Sequence, residues 1–268
     1  MLKDITLGQY FPGNSIAHKL DPRTKILLVT LYIIALFSAK GWMGYAVMAV
    51  TLAACVKVSH VGLRALVRGL KPLVFIIAFT GILNMFFTPD THYLWEWGIL
   101  RVSVKGIENA LFMVIRIMLL VMGTFLMTYT TSPIRLTDGL ESLLNPLKKI
   151  HVPVHELAMM MAIALRFIPT LIEETDKIMS AQKARGADFD SGNIFQKAKA
   201  LVPILVPLFI SAFRRADELA TAMECRCYHG GEGRTKLHVL KYQRRDYIAL
   251  AGGAVILVLV VALRRLGA

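Results

Sequence analysis

The chain has 268 residues, of which 56% are hydrophobic, and a mean hydropathy of +0.56. Soluble domains hold about 45 to 50% apolar residues, so a water-soluble enzyme with a single core is excluded. Lys and Arg (31) outnumber Asp and Glu (18) for a net charge of +13 in a chain only 18% charged, which fits a membrane protein with basic cytoplasmic loops and no nucleic-acid partner.

The polar start, residues 1–22, has no cleavable signal-peptide pattern. Five apolar runs approach the roughly 17 to 25 residues that a membrane-crossing helix needs. They cover 24–39, 42–58, 72–87, 106–130 and 247–263. The first two are short, and snorkelling by Lys25, Lys40 and Lys57 lengthens them. The third opens on Pro72, suited to a first helical turn, and stops before Thr88 and Pro89. Trp42, Tyr45, Tyr93, Trp95 and Trp97 read as an aromatic belt at one interface. Arg116 inside the fourth run, with Glu108 near its start, is expected to face the bundle interior and pair with a carbonyl or an acid.

Lys19, Arg23 and Lys25 precede the first run, and Arg64, Arg68 and Lys71 separate the second from the third, which places both regions in the cytoplasm. The mixed-charge loop 88–105 is then external. Five spans leave the C-terminus outside with Arg264 and Arg265 on the disfavoured side, and a re-entrant pair formed by the first two runs is the alternative.

The segment 132–246 reads as helix throughout. Ser132 caps a helix opening on Pro133 and amphipathic as far as Asn145 and Pro146. A second helix spaces Leu157, Met160, Met161, Ala164, Leu165, Ile168, Leu171 and Ile172 at steps of three and four. Glu173, Glu174, Asp176 and Lys177 form its wet face, and Pro169 predicts a kink. A third helix, 194–227, bends at Pro203 and Pro207 and passes from an apolar centre, 200–213, into a polar end with Arg214, Arg215, Asp217, Glu218 and Glu224. The two long helices finish alike, with Ala184-Arg185-Gly186 after Gln182-Lys183 and Cys225-Arg226-Cys227 after Met223-Glu224. An arginine in a last turn meets the negative end of the helix dipole, and Gly186 is a natural C-cap. One such end reads as a cap; two on adjacent long helices read as a paired site.

The expected fold class is therefore an all-α polytopic membrane protein with about five transmembrane helices and a cytoplasmic coupling domain of long helices. Its parts are 1–131, transmembrane helices; 132–245, coupling helices; and 246–268, a last transmembrane helix.

The two helix ends, together with Ser15-Ile16-Ala17-His18-Lys19-Leu20-Asp21-Pro22-Arg23-Thr24-Lys25, resemble the transmembrane coupling (T) subunits of energy-coupling factor (ECF) transporters, the CbiQ/EcfT family, over essentially the whole chain. The resemblance implies a non-catalytic subunit in a prokaryotic cell membrane, with its N-terminus and coupling helices cytoplasmic. Such a subunit joins two ATPase subunits (EcfA and EcfA′) to a substrate-specific S subunit for vitamin uptake. In that family Ala-Arg-Gly motifs dock into the ATPases, so Ala184, Arg185, Gly186, Cys225, Arg226 and Cys227 become the coupling residues. The first motif matches fully, whereas Cys225 and Cys227 replace the alanine and glycine of the second. No cofactor of its own is implied, ATP and Mg²⁺ being held by the ATPases. Gly8-Gln9-Tyr10-Phe11-Pro12-Gly13 looks more like T subunits shared among vitamin S subunits than like those dedicated to cobalt or nickel.

Other chemistry fails on spacing. His155-Glu156 starts an H-E-x-x-H motif, but Met159 stands where the second histidine belongs. The glycine-rich stretch 230–236 lacks the G-K-[ST] order of a P-loop, and Cys225, Cys227 and His229 lack a fourth metal ligand. Two readings stay open for Met160, Met161, Ala164 and Leu165 with Leu205, Leu208 and Phe209: a platform for the S subunit, or packing against the spans. The competing function, a self-contained secondary transporter or channel, requires an inverted repeat that the sequence does not display.

Overall fold

The structure, a computed structural model, describes residues 10–88, 93–97, 100–187, 189, 193–230 and 239–265. Ten α-helices are described: α1 (Ile16–Lys19), α2 (Pro22–Ser38), α3 (Gly41–Ser59), α4 (Leu63–Leu70), α5 (Val74–Phe87), α6 (Val104–Thr130), α7 (Pro133–Leu144), α8 (Val154–Ala184), α9 (Ile194–Glu224) and α10 (Arg244–Arg265). The chain divides into two compact units, one of Gly8–Leu140 with Leu240–Ala268 and one built on Glu141–Val239.

The helix starts follow their capping residues. Asp21 accepts the backbone N–H of Arg23 ahead of Pro22 in the first turn of α2, and the Ser103 hydroxyl accepts the Gly106 N–H at 2.9 Å to open α6. Five helical stretches are long and apolar enough to cross a membrane: Gly41–Ser59, Leu63–Phe87, Val104–Thr130, Val154–Ala184 and Arg244–Arg265. Four coincide with runs read from the sequence. The third is extended at its start by more than two turns through α4 and the 3₁₀ segment Lys71–Leu73. The remaining one is α8, read above as a coupling helix, whereas α2 has 17 residues and relies on its flanks for length. Only 11% of the apolar window of α6 is buried within the chain, as in a helix that meets lipid or partner subunits. The protein is thus an all-α polytopic membrane protein in which one short hairpin interrupts the helices.

That hairpin corrects the loop expected over 88–105. Strands β1 (Tyr93–Trp97) and β2 (Leu100–Ser103) pair antiparallel, with Trp97 opposite Leu100 and a register shift between Tyr93 and Trp95. Aromatic residues alternate along β1, a pattern that suits a pleated strand as well as a belt. For Tyr93, Trp95 and Trp97 the strand is described and the side chains are not.

The core of the first unit sits where α2, α3, α4, α6 and α10 meet, around Leu36, Met48, Leu66, Leu119 and Val260. Close approach is achieved with glycine: a Cβ at Gly123 would lie 2.5 Å from the Tyr32 ring. Tyr45 belongs to this core and not to an interfacial belt, while Trp42 is exposed. The N-terminal motif is a polar knot in the same unit. The Asp21 N–H donates to Asp246 at 2.8 Å, the Asp21 carboxylate pairs with Arg23 at 2.9 Å, and Lys25 donates to the Thr130 carbonyl at 2.8 Å and the Thr131 hydroxyl at 3.0 Å. His18 completes it, bonded to the Ser15 hydroxyl at 2.6 Å and the Phe11 carbonyl at 3.0 Å. The knot ties the start of α2 to the end of α6 and the start of α10.

Candidate functional site

The second unit is dominated by α8 and α9, which pack against each other. Gln182 of α8 donates to the Pro203 carbonyl of α9 at 3.4 Å, and Glu174, eight residues earlier, meets Ser211 and Arg215, eight and twelve residues later. Contacts that advance on one helix as they retreat on the other define an antiparallel pair. This register sets Arg185 level with about residue 200 of α9, and at a rise of about 1.5 Å per residue it separates the levels of Arg185 and Arg226 by about 39 Å. The two arginine motifs therefore stand at opposite ends of the pair.

Each helix closes with the same hydrogen bonds. The Gly186 N–H donates to the Lys183 carbonyl at 3.0 Å and the Ala187 N–H to Gln182 at 3.0 Å. The Cys227 N–H donates to Glu224 at 2.8 Å and the Tyr228 N–H to Met223 at 3.1 Å. Both are Schellman closures, with the arginine as last residue before a left-handed one. Gly186 has φ +87° and Cys227 has φ +53°. Hence Cys227 takes the backbone role of the expected glycine at some conformational cost. Ala184, Arg185, Gly186, Cys225, Arg226 and Cys227 are all exposed, so both guanidinium groups are presented to the outside of this unit. α9 ends at Glu224, and Cys225–Cys227 form the turn instead of a last helical residue set.

The sequence that builds this pair is similar to known proteins. The cobalt transport protein family CbiQ matches residues 13–237. A Clostridium kluyveri protein named energy-coupling factor transporter transmembrane protein EcfT is 57% identical over 250 residues, 93% of each chain. Proteins of the same name from Ruminiclostridium cellulolyticum and Bacillus subtilis are 54% identical over 92% of each chain and 46% identical over 98% of this chain and all of the other. The chain belongs to the CbiQ/EcfT family. It is accordingly a multi-pass transmembrane component of an ECF transporter, working in a complex with further components.

In this EcfT-family chain the expected platform residues do not form one patch. Met160 and Met161 are exposed, as is Ala164, with Leu165 half-buried; Leu205 and Phe209 are exposed, with Leu208 half-buried. The antiparallel register sets Met161 and the Leu205–Phe209 turn about 25 Å apart along the pair. Met160 and Met161 lie level with the Arg226 end and Leu205 towards the Arg185 end, so each arginine has an apolar neighbourhood of its own. Between the two ends, exposed Val202, Val206, Phe209 and Phe213 make a continuous stripe on α9.

Sequence reading missed the fastening between the helices. Glu174 accepts from the Ser211 hydroxyl and, at 2.9 Å, from the Arg215 guanidinium, so it is not on a wet face; its neighbour Glu173 is. Arg215 two turns from the polar end of α9 was the one available signal. Arg116 finds neither a carbonyl nor an acid but the Tyr45 hydroxyl, 2.9 Å from its Nε, with the Phe37 ring 5.7 Å from its Cζ. Phe112 stacks on Tyr45 with centroids 5.2 Å apart and holds the phenol in place. His155, the false start of a zinc motif, instead bonds Glu141 at 3.0 Å, joining the starts of α8 and of this unit.

Proposed function

We propose that this chain is the T subunit through which two ATPases (EcfA and EcfA′) drive a substrate-binding S subunit to take up a micronutrient, a vitamin, across a prokaryotic plasma membrane. The observation that carries this reading is the repetition of one closure, with its arginine at the same place, at opposite ends of an antiparallel helix pair. A single partner needs one such end; two equivalent ATPases need two. A guanidinium offers five donors in a planar fork, suited to carboxylates and backbone carbonyls in a groove. The small residues Ala184, Gly186, Cys225 and Cys227 let a partner's backbone come close to Arg185 and Arg226.

ATP and Mg²⁺ then sit on the ATPases, and this chain contributes position and movement, not a catalytic group. The basic segments around α1, α2 and α4 support a cytoplasmic N-terminus and a cytoplasmic α8–α9 unit. The S subunit takes the apolar surfaces of the pair: Met160, Met161, Ala164 and Leu165 at one end, Leu205, Leu208 and Phe209 at the other. Exposed apolar area on this scale marks a partner site.

The test is coupled transport by the reconstituted complex. Arg185→Ala and Arg226→Ala should each lower substrate uptake per ATP hydrolysed, leaving membrane insertion of the chain intact. Unchanged coupling in both variants would overturn the reading.

A further inference from the structure

In the unit of Gly8–Leu140 with Leu240–Ala268, helices α1, α2, α3, α6 and α10 enclose a cleft of ≈ 500 Å³. Its walls are apolar along their length, among them Leu28, Leu31 and Ala35 of α2, Leu52 of α3, and Ile248 and Ile256 of α10. The lining runs from Lys25 to Ala35 on α2 and from Arg245 to Ile256 on α10. At the helical rise that is about 15 Å, half of the roughly 30 Å hydrocarbon thickness of a bilayer. The cleft is one leaflet deep.

Only one end carries charge. Lys25 is buried and spends two of its three donors on Thr130 and Thr131, and Arg245 is exposed and bonds the Gln243 side chain. The acids of that end are already engaged: Asp246 accepts the N–H groups of Asp21 and Gln243 at 2.8 Å each, and Asp21 pairs with Arg23. Neither Lys25 nor Arg245 lies within ion-pair distance of a carboxylate among the described residues. The middle of the cleft is kept open by Gly252, where an added Cβ would meet nothing within 4 Å. Its neighbour Gly253 is explained by packing, since a Cβ there would lie 2.7 Å from Leu28. A glycine inside a helix weakens it, and what Gly252 provides in exchange is volume.

We propose that this cleft holds an acyl chain of one anionic phospholipid, with the phosphate at Lys25 and Arg245. The walls offer an alkyl chain a dry apolar surface and would strip a polar ligand of its water without replacement. Lys25 and Arg245 outnumber the one nearby carboxylate not paired to an arginine, that of Asp246, and this excess of positive charge supplies the preference for a negative ligand. This site is separate from the coupling reading and does not depend on it.

The experiment uses the full-length chain in nanodiscs of equal parts phosphatidylglycerol and phosphatidylcholine, followed by detergent extraction and native mass spectrometry of the lipid that stays bound. The wild type should retain phosphatidylglycerol over phosphatidylcholine by about fivefold for each cation. Gly252→Leu fills the cleft and should release the bound lipid without lowering the melting temperature. Arg245→Gln, at an exposed position, should keep a lipid bound and reduce the preference by about fivefold. Equal retention of the two lipids by the wild type overturns the proposal, as does undiminished phosphatidylglycerol on folded Gly252→Leu. Should Gly252→Leu not fold, an unchanged lipid ratio in Arg245→Gln refutes it alone.

Discussion

Replacing Gly186 by alanine probes the helix closure without touching the arginine. A Cβ added at Gly186 would meet nothing within 4 Å, so no clash contributes and the whole effect lies in the backbone. At φ +87° the residue is outside the left-handed region open to side chains, roughly +50 to +70°. Holding an L-residue left-handed costs about 1 to 2 kcal/mol, and alanine recovers about 0.4 to 1 kcal/mol by restricting the unfolded chain. The net is about 1 kcal/mol against the closed turn, roughly a fivefold shift towards opening. Amide hydrogen exchange reads it directly, because the Gly186 and Ala187 N–H groups donate to Lys183 and Gln182. Peptides spanning 182–187 should exchange about fivefold faster, with 223–228 as internal control. The mirror change Cys227→Gly should slow exchange by less than that, since φ +53° already lies within the allowed region. Unaltered exchange at 182–187 in Gly186→Ala would refute the argument that this turn requires glycine.

Topology is tested with single cysteines at Thr88 and Asn193 in a background lacking Cys55, Cys225 and Cys227: an impermeant maleimide should label them from opposite sides of the membrane, and same-side labelling contradicts the assigned orientation. Glu174→Gln should loosen the α8–α9 pair by about 1 kcal/mol, discounted because Arg215 is 37% exposed. The charge-exchanged double variant Glu174→Arg with Arg215→Glu should recover part of the lost melting temperature. Tyr45→Phe strips Arg116 of its acceptor and should cost about 1 to 3 kcal/mol of stability, more than the double change Tyr45→Phe with Arg116→Met, which removes donor and acceptor together.

Local signals in the sequence located most of the elements. Asp21-Pro22 and Ser132-Pro133 mark helix starts because an N-cap acceptor followed by proline has few other uses. Gly186 marks a helix end because only a left-handed turn explains it there. What the sequence withheld is tertiary. The Asp21 to Asp246 bond joins residues 225 apart, and no periodicity points from one to the other. The two halves of the apolar platform share a hydrophobic period, but the antiparallel register that parts Met161 from Leu205 exists only once Gln182 meets Pro203. Glu174 and Glu173 are indistinguishable in sequence; a rotation of about 100° along α8 gives one an arginine and the other water. The hairpin was hidden because tryptophan and tyrosine suit a strand and a membrane interface equally well.

Whether each arginine closure holds one ATPase is read from the mass of the complex that this chain assembles with tagged ATPases. A buried charge-assisted contact is worth about 1.5 to 3 kcal/mol. At protein concentrations near the wild-type Kd, where a weakening of about 10- to 150-fold per arginine is visible, native mass spectrometry should find two ATPases on the wild-type chain, mostly one on Arg185→Ala or Arg226→Ala, and mostly none on the double variant. Two ATPases still bound to the double variant would show that neither arginine holds one.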